Sequence, residues 1–275
     1  MKSSPSFAIA RRRQARHLTD MITDPVFYLV AAPAVILLGM AKGGFAGIGT
    51  VAVPLMALAV SPVLAASILL PILIVQDVVS VWSFRRTWSG RILALMLPSA
   101  AVGIFAGYSL AAFVKPAAVE LAVGAISVTF AVQRLWVDRA KAPLSEPRPE
   151  GLPWRGVLAG VAAGFTSQIS HAGAPPFQMY VLPKRLPRDA FIGTSSLFFA
   201  AVNWMKVPAY LALGQFSRTS LATSAVLLPL AIASTWAGVW LVRRVPAELF
   251  YRLIYGLLIL VGSKLAWDGA AGLLR

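Results

Sequence analysis

Cysteine is absent from this chain of 275 residues. There is therefore no disulfide, no thiolate metal site and no cysteine nucleophile. Charge is scarce as well. Asp, Glu, Lys and Arg make up 13% of the residues, where a soluble domain carries about a quarter. The 10 acidic residues are too few for paired-carboxylate catalysis. Histidine occurs twice, and no His/Asp/Glu cluster has metal-ligand spacing. A phosphate-loop lysine motif is missing, which argues against an ATP-driven pump. These absences lead us to expect no enzyme, no metal and no cofactor.

What the chain has instead is apolar length. It is 58% hydrophobic, and runs of roughly 17–25 apolar residues recur from Val26 onward, each able to cross a ~30 Å hydrocarbon core. The runs do not alternate as barrel strands do. The expected fold is all-α, a polytopic transmembrane bundle embedded in a lipid bilayer. Net charge is +15, but Arg and Lys cluster between the runs, as the positive-inside bias requires. A nucleic-acid partner is not expected. Oligomeric state is not legible.

Residues 1–25 form a polar, basic tail with Arg11-Arg12-Arg13 and Arg16. It has no apolar segment of the signal-peptide kind. Met21-Ile22-Thr23-Asp24-Pro25 is an equally good start, which would leave residues 1–20 untranslated. Residues 26–137 then read as a first transmembrane repeat, 138–153 as a charged, proline-rich cytoplasmic linker, and 154–270 as a second repeat.

The first apolar run is broken by Lys42-Gly43-Gly44-Phe45-Ala46-Gly47-Ile48-Gly49-Thr50, closed by Pro54. The pieces on either side, Val26–Met40 and Phe45–Val60, read as two helices of similar length meeting in a re-entrant hairpin. In the second repeat the polar run from Thr166 to Ala174, ahead of Pro175-Pro176, reads as the matching break. Three full spans follow each hairpin. Pro54 answers Pro176, Pro62 answers Pro187, Pro98 answers Pro229, Gly107 answers Gly238 and Gly124 answers Gly256. Gly103 and Gly107, like Ser234 and Gly238, have the small-xxx-small spacing of close helix packing. If each break is a hairpin within the membrane, the repeats are inverted and most loop Lys/Arg fall on one side. If each broken segment crosses once, they are parallel and the split is more even.

Paired breaks at matching places point to a binding site near the bilayer midplane. Lys42 is costly inside a membrane and needs a partner or a cavity. Gly43, Gly44, Gly47 and Gly49 would free backbone amides at helix N-termini and admit an anion closely. The alternative is a lysine snorkelling to an interface among packing glycines. Ser167, Gln168, Ser170 and His171 are the counterpart donors; alternatively they cap broken helices. Asn203 and Lys206 share one helical face and would complete the wall. Asp77 pairs with Lys42 or Lys206, or serves with His171 as a proton-coupling group; a structural ion pair is the alternative. Trp204, beside Asn203, is a candidate wall residue or core packing.

In these residues the chain resembles the sulfite exporter TauE/SafE family of membrane permeases. Lys42-Gly43-Gly44-Phe45 through Pro54-Leu55-Met56, then Ser61-Pro62, looks like the family's first-half pattern. Ser167 to Gly173 replaces much of the glycine run expected in the second half. The resemblance spans Asp24 to about Asp268. It implies a secondary transporter moving a small anion, such as sulfite, an organosulfonate or a related carboxylate, across the cytoplasmic membrane. A passive anion channel and a membrane-embedded partner subunit are the alternatives.

Overall fold

The computed structural model describes residues 25–45, 47–56, 58–110, 113, 115–139 and 153–274. The basic tail up to Asp24 and residues 140–152 of the linker lie outside them.

Every element among the described residues is helical. The first half holds α1 (Pro25–Gly43), a 3-10 turn (Ile48–Val51), α2 (Ala52–Met56), α3 (Pro62–Phe84), α4 (Gly90–Leu110) and α5 (Pro116–Arg139). The second half holds α6 (Pro153–Ser170), α7 (Ala174–Val181), a 3-10 turn (Leu182–Lys184), α8 (Arg188–Ala212), α9 (Arg218–Arg244) and α10 (Ala247–Leu274). Local signals set several of these boundaries. Ser61 caps α3 by accepting from the Leu64 amide, with Pro62 at the first helical position. Ser217 and Ser220 cap α9 reciprocally, and Arg243 and Arg244 close its carbonyl end.

The bundle is a multi-pass membrane protein. Four helical stretches are long and apolar enough to cross a membrane: Val63–Phe84, Gly90–Leu110, Arg218–Arg244 and Tyr255–Leu274. Large apolar side chains stand outward along them, including Phe105 at 70% and Leu260 at 63% exposure. A water-soluble surface would not carry such a belt. Helix α8 has the length to cross, at 25 residues, but its inward face carries Thr194, Ser195, Ser196, Asn203 and Lys206, all buried. Those residues lower its hydropathy.

The halves interlock. Helix α1 packs along α9, and its counterpart α6 packs along α4. Helix α3 meets α8 and α9, α8 also meets α4, and α5 pairs with α10. Exchanging the halves maps this set of contacts onto itself. The directions are opposed. Gly39 and Gly43 lie against Ser234 and Gly238, so α1 runs with α9. Gly160 and Gly164 lie against Ser99 and Ala100, so α6 runs with α4. Helix α4 begins where α9 ends: Arg188 of α8 donates to the carbonyls of Val242 and Val245, and the Ser89 amide donates to Thr194. Hence α1 and α6 run antiparallel, and the repeats are inverted within the bundle.

The small-xxx-small pairs make the interfaces expected of them. Gly103 and Gly107 press on α6, while Ser234 and Gly238 press on α1. Gly124 and Gly256, matched by position in the sequence, differ in what surrounds them. Gly124 meets Gly262 and Ala266, whereas a Cβ on Gly256 would meet nothing within 4 Å among the described residues. Antiparallel α5 and α10 approach through small residues, Gly124 against Gly262 and Ala266, and Gly269 against Ala117.

Two sequence readings of the breaks need correction. The return arm of the first hairpin is no long helix: only a 3-10 turn and the five residues of α2 follow the glycines. Positive φ at Gly44 and Gly47 prevents helical continuation there. In the second half, Thr166 to Ser170 is the last turn of α6, and the break comes later, over His171–Gly173. Apolar packing on one face and hydroxyl bonds to preceding carbonyls let that polar turn stay helical; the Thr166 hydroxyl donates to Ala162 O at 2.8 Å and also to Ala172 O at 3.0 Å, beyond the break.

Candidate functional site

The two breaks face each other across one cavity. Its walls come from the end of α1, the first 3-10 turn, α3, the end of α6, the start of α7 and α8. The volume is about 80 Å³. At about 10–15 Å³ per water-sized group, this accommodates roughly five to eight such groups.

Lys42 sits in the last turn of α1. Its ammonium donates to Asp77 Oδ1 at 2.5 Å and lies 5.5 Å from the centre of the Phe199 ring. Its carbonyl accepts from the Ser80 hydroxyl at 2.6 Å. Asp77 and Ser80 are three apart on α3, so one helical face holds both the charge and the backbone of Lys42. The other oxygen of Asp77 accepts from the Asn203 amide at 2.7 Å. Ser80 and Ser196 share a hydrogen bond of 2.5 Å, which ties α3 to α8 beside this pair.

Lys206 is the second cation, at 0% exposure. It reaches only neutral oxygens, the hydroxyl of Ser167 at 3.3 Å and the carbonyl of Ser167 at 3.5 Å. Asp77 is 2% exposed and engaged with Lys42 and Asn203, leaving Lys206 without an ion-pair partner at contact distance among the described residues. A buried cation held only by neutral acceptors is costly, and a bound anion would relieve that cost.

His171 lies in the second break with φ 56°, a left-handed conformation uncommon outside glycine, though histidine adopts it more often than most side chains. Gly44, with φ 141°, follows the last residue of α1 as His171 follows that of α6. Both ring nitrogens of His171 are buried and without a hydrogen-bond partner; the ring meets Tyr210 edge-on, centres 6.2 Å apart. Strain plus unpaired polar atoms in a cavity wall marks a functional position.

Of the residues singled out from sequence, Lys42, Gly44, Gly47, Gly49, Ser167, His171, Asn203 and Lys206 line the cavity. Gly43 does not: a Cβ there would lie 2.5 Å from the α-carbon of Gly238, so its role is the α1–α9 contact. Gln168 turns away, its stem against Gly107 and its carbonyl oxygen buried without a partner. The side chain of Ser170 lies outside the described residues. Trp204 is 60% exposed and faces outward, so it neither walls the cavity nor packs in the core; one residue of helix turns it about 100° from Asn203. Expected anion contacts at helix N-termini also need revising, because Lys42 and Ser167 stand at the carbonyl ends of α1 and α6.

Sequence reasoning missed Thr50, Ser195, Ser196 and Phe199, which also line the cavity. A signal was present: Thr194-Ser195-Ser196 is a hydroxyl run inside an otherwise apolar span.

No curated protein and no solved structure matches the chain. A model of the family described as sulfite exporter TauE/SafE matches residues 31–265, from within α1 to within α10, and this chain therefore belongs to that family of membrane transporters.

Proposed function

We propose that this protein is a secondary transporter of a small anion, such as sulfite or an organosulfonate, across the cytoplasmic membrane. The observation that carries the reading is the cavity between the two breaks, with two lysines in its wall and one carboxylate, Asp77, behind it on Lys42. The hydroxyls of Ser167 and Ser195, and the second amide hydrogen of Asn203, would supply neutral donors. The cavity's volume suits an anion of a few heavy atoms. Interlocked inverted halves supply the two bodies that rock about such a site in alternating access. The arginine-rich end, with Arg85, Arg86, Arg188, Arg243 and Arg244, would face the cytoplasm. Helix α5 ends and α6 begins at that end.

Coupling to protons rests on Asp77 or His171. Both oxygens of Asp77 are occupied, whereas neither ring nitrogen of His171 has a partner. His171 is thus the better-placed proton carrier, among Lys42, Lys206 and the Tyr210 phenol.

The test is flux of radiolabelled sulfite and alkanesulfonates in proteoliposomes. Saturable, trans-stimulated flux is expected for the native protein, reduced at least about 100-fold in Lys42→Ala, as for loss of a buried charged contact. Full transport by Lys42→Ala would remove Lys42 from the site.

A further inference from the structure

The charges that face the cavity can be counted element by element. Helix α1 contributes Lys42, α3 contributes Asp77 through its bond to Lys42, α8 contributes Lys206, and the second break contributes His171. The first 3-10 turn and α7 contribute glycines, Thr50 and Ala174, all uncharged. With an anion in place, both lysines as ammonium ions and His171 as the neutral imidazole, the sum is one positive charge. Asp77 cancels one lysine, and Lys206 is left over.

In a wall of low polarity that balance decides what fits. One unit of negative charge neutralises the cavity; a second would stand unpaired, at the cost that any buried lone charge carries. Resting on the anion-transport reading above, we infer that the cavity selects singly charged anions over doubly charged ones, and that Asp77 sets this preference. The substrate class is then the hydrogen-sulfite or monosulfonate form, R–SO₃⁻, with sulfite dianion, sulfate and disulfonates excluded. Asp77 is a specificity-determining residue acting through Lys42, and it need not touch the anion. Its two bonds, to Lys42 and to Asn203, hold the carboxylate in place beside the cavity.

Calorimetric titration of the purified protein at pH 7 and fixed ionic strength tests this, with methanesulfonate and ethanesulfonate as monoanions and sulfate and 1,2-ethanedisulfonate as dianions. The native protein is expected to bind the monoanions about 30–100-fold more tightly, as like-charge discrimination at a desolvated site requires. Asp77→Asn raises the count to two positive charges and should reverse the ratio. Lys42→Met lowers it to zero and should lose both classes. Combining Lys42→Met with Asp77→Asn returns it to one, and monoanion binding should reappear; this pair of variants decides the matter if Asp77→Asn alone fails to fold. Equal binding of both classes by the native protein overturns the inference and leaves the anion reading intact. So does an unchanged ratio in folded Asp77→Asn, or a double variant that binds no better than Lys42→Met. Absence of any anion binding by the native protein overturns both.

Discussion

Replacing Lys206 by methionine is expected to abolish anion transport while the protein keeps its fold. Lys206 is completely buried, and its ammonium reaches only the two oxygens of Ser167. Methionine matches the stem in length and removes a charge that no carboxylate contacts. Removing a buried charge that has no ion-pair partner also removes its desolvation cost, so the fold should not suffer. The cavity, in contrast, drops from one net positive charge to none. Binding should fall at least about 100-fold, or about 2.7 kcal/mol at 1.36 kcal/mol per decade. Thermal unfolding and anion binding measured on one preparation separate the two effects. A large loss of stability with binding retained would mean that Lys206 is structural.

Glycine-to-leucine substitution at position 103 should remove folded protein from the membrane altogether. A Cβ on Gly103 would lie 2.0 Å from the Val161 carbonyl oxygen and 2.8 Å from the Phe165 amide nitrogen. Those are backbone atoms of α6, so no side chain can step aside. Helix α6 must move away from α4, and α6 carries Ser167 into the cavity. Overpacking a core costs about 1–3 kcal/mol even where side chains can adjust; here the contact between two helices is lost. Gly256→Ala is the matched control, because its Cβ would meet nothing within 4 Å among the described residues. It should be neutral or stabilise by up to about 1 kcal/mol through helix propensity. Yield of monodisperse detergent-solubilised protein reads both outcomes. A well-folded Gly103→Leu variant would mean that the α4–α6 interface is far looser than it stands.

Much of this arrangement was legible before the structure. Lys42, Asp77 and Lys206 stood out because ionisable residues inside apolar spans require a reason, and solvation energy makes that reasoning independent of tertiary detail. The spacing of Gly103 with Gly107, and of Ser234 with Gly238, exposed the close helix contacts because helical period alone puts residues four apart on one face. Where the second break falls was not legible. Thr166 to Ser170 is polar enough to suggest irregular chain, yet hydroxyl bonds to preceding carbonyls keep it helical. His171 carries the left-handed turn instead, a conformation that sequence assigns readily to glycine and rarely to histidine. Gly43 and Gln168 were misplaced for a geometric reason. Each lies next to a cavity residue in sequence, and one step along a helix turns a residue to another face. Gly43 thereby went to α9 and Gln168 to α4. The partner of Asp77 was open between two lysines, and only the three-dimensional path of α1 beside α3 decides for Lys42.

The most direct test is to locate a bound anion. Crystals grown with 2-bromoethanesulfonate carry a bromine whose anomalous signal marks its position without ambiguity. The expected peak lies in the cavity bounded by Lys42, His171 and Lys206, with the sulfonate oxygens toward the two lysines. Bromine found only among the arginines at the ends of α3 and α9, with the cavity free of it at saturating concentration, would contradict the account.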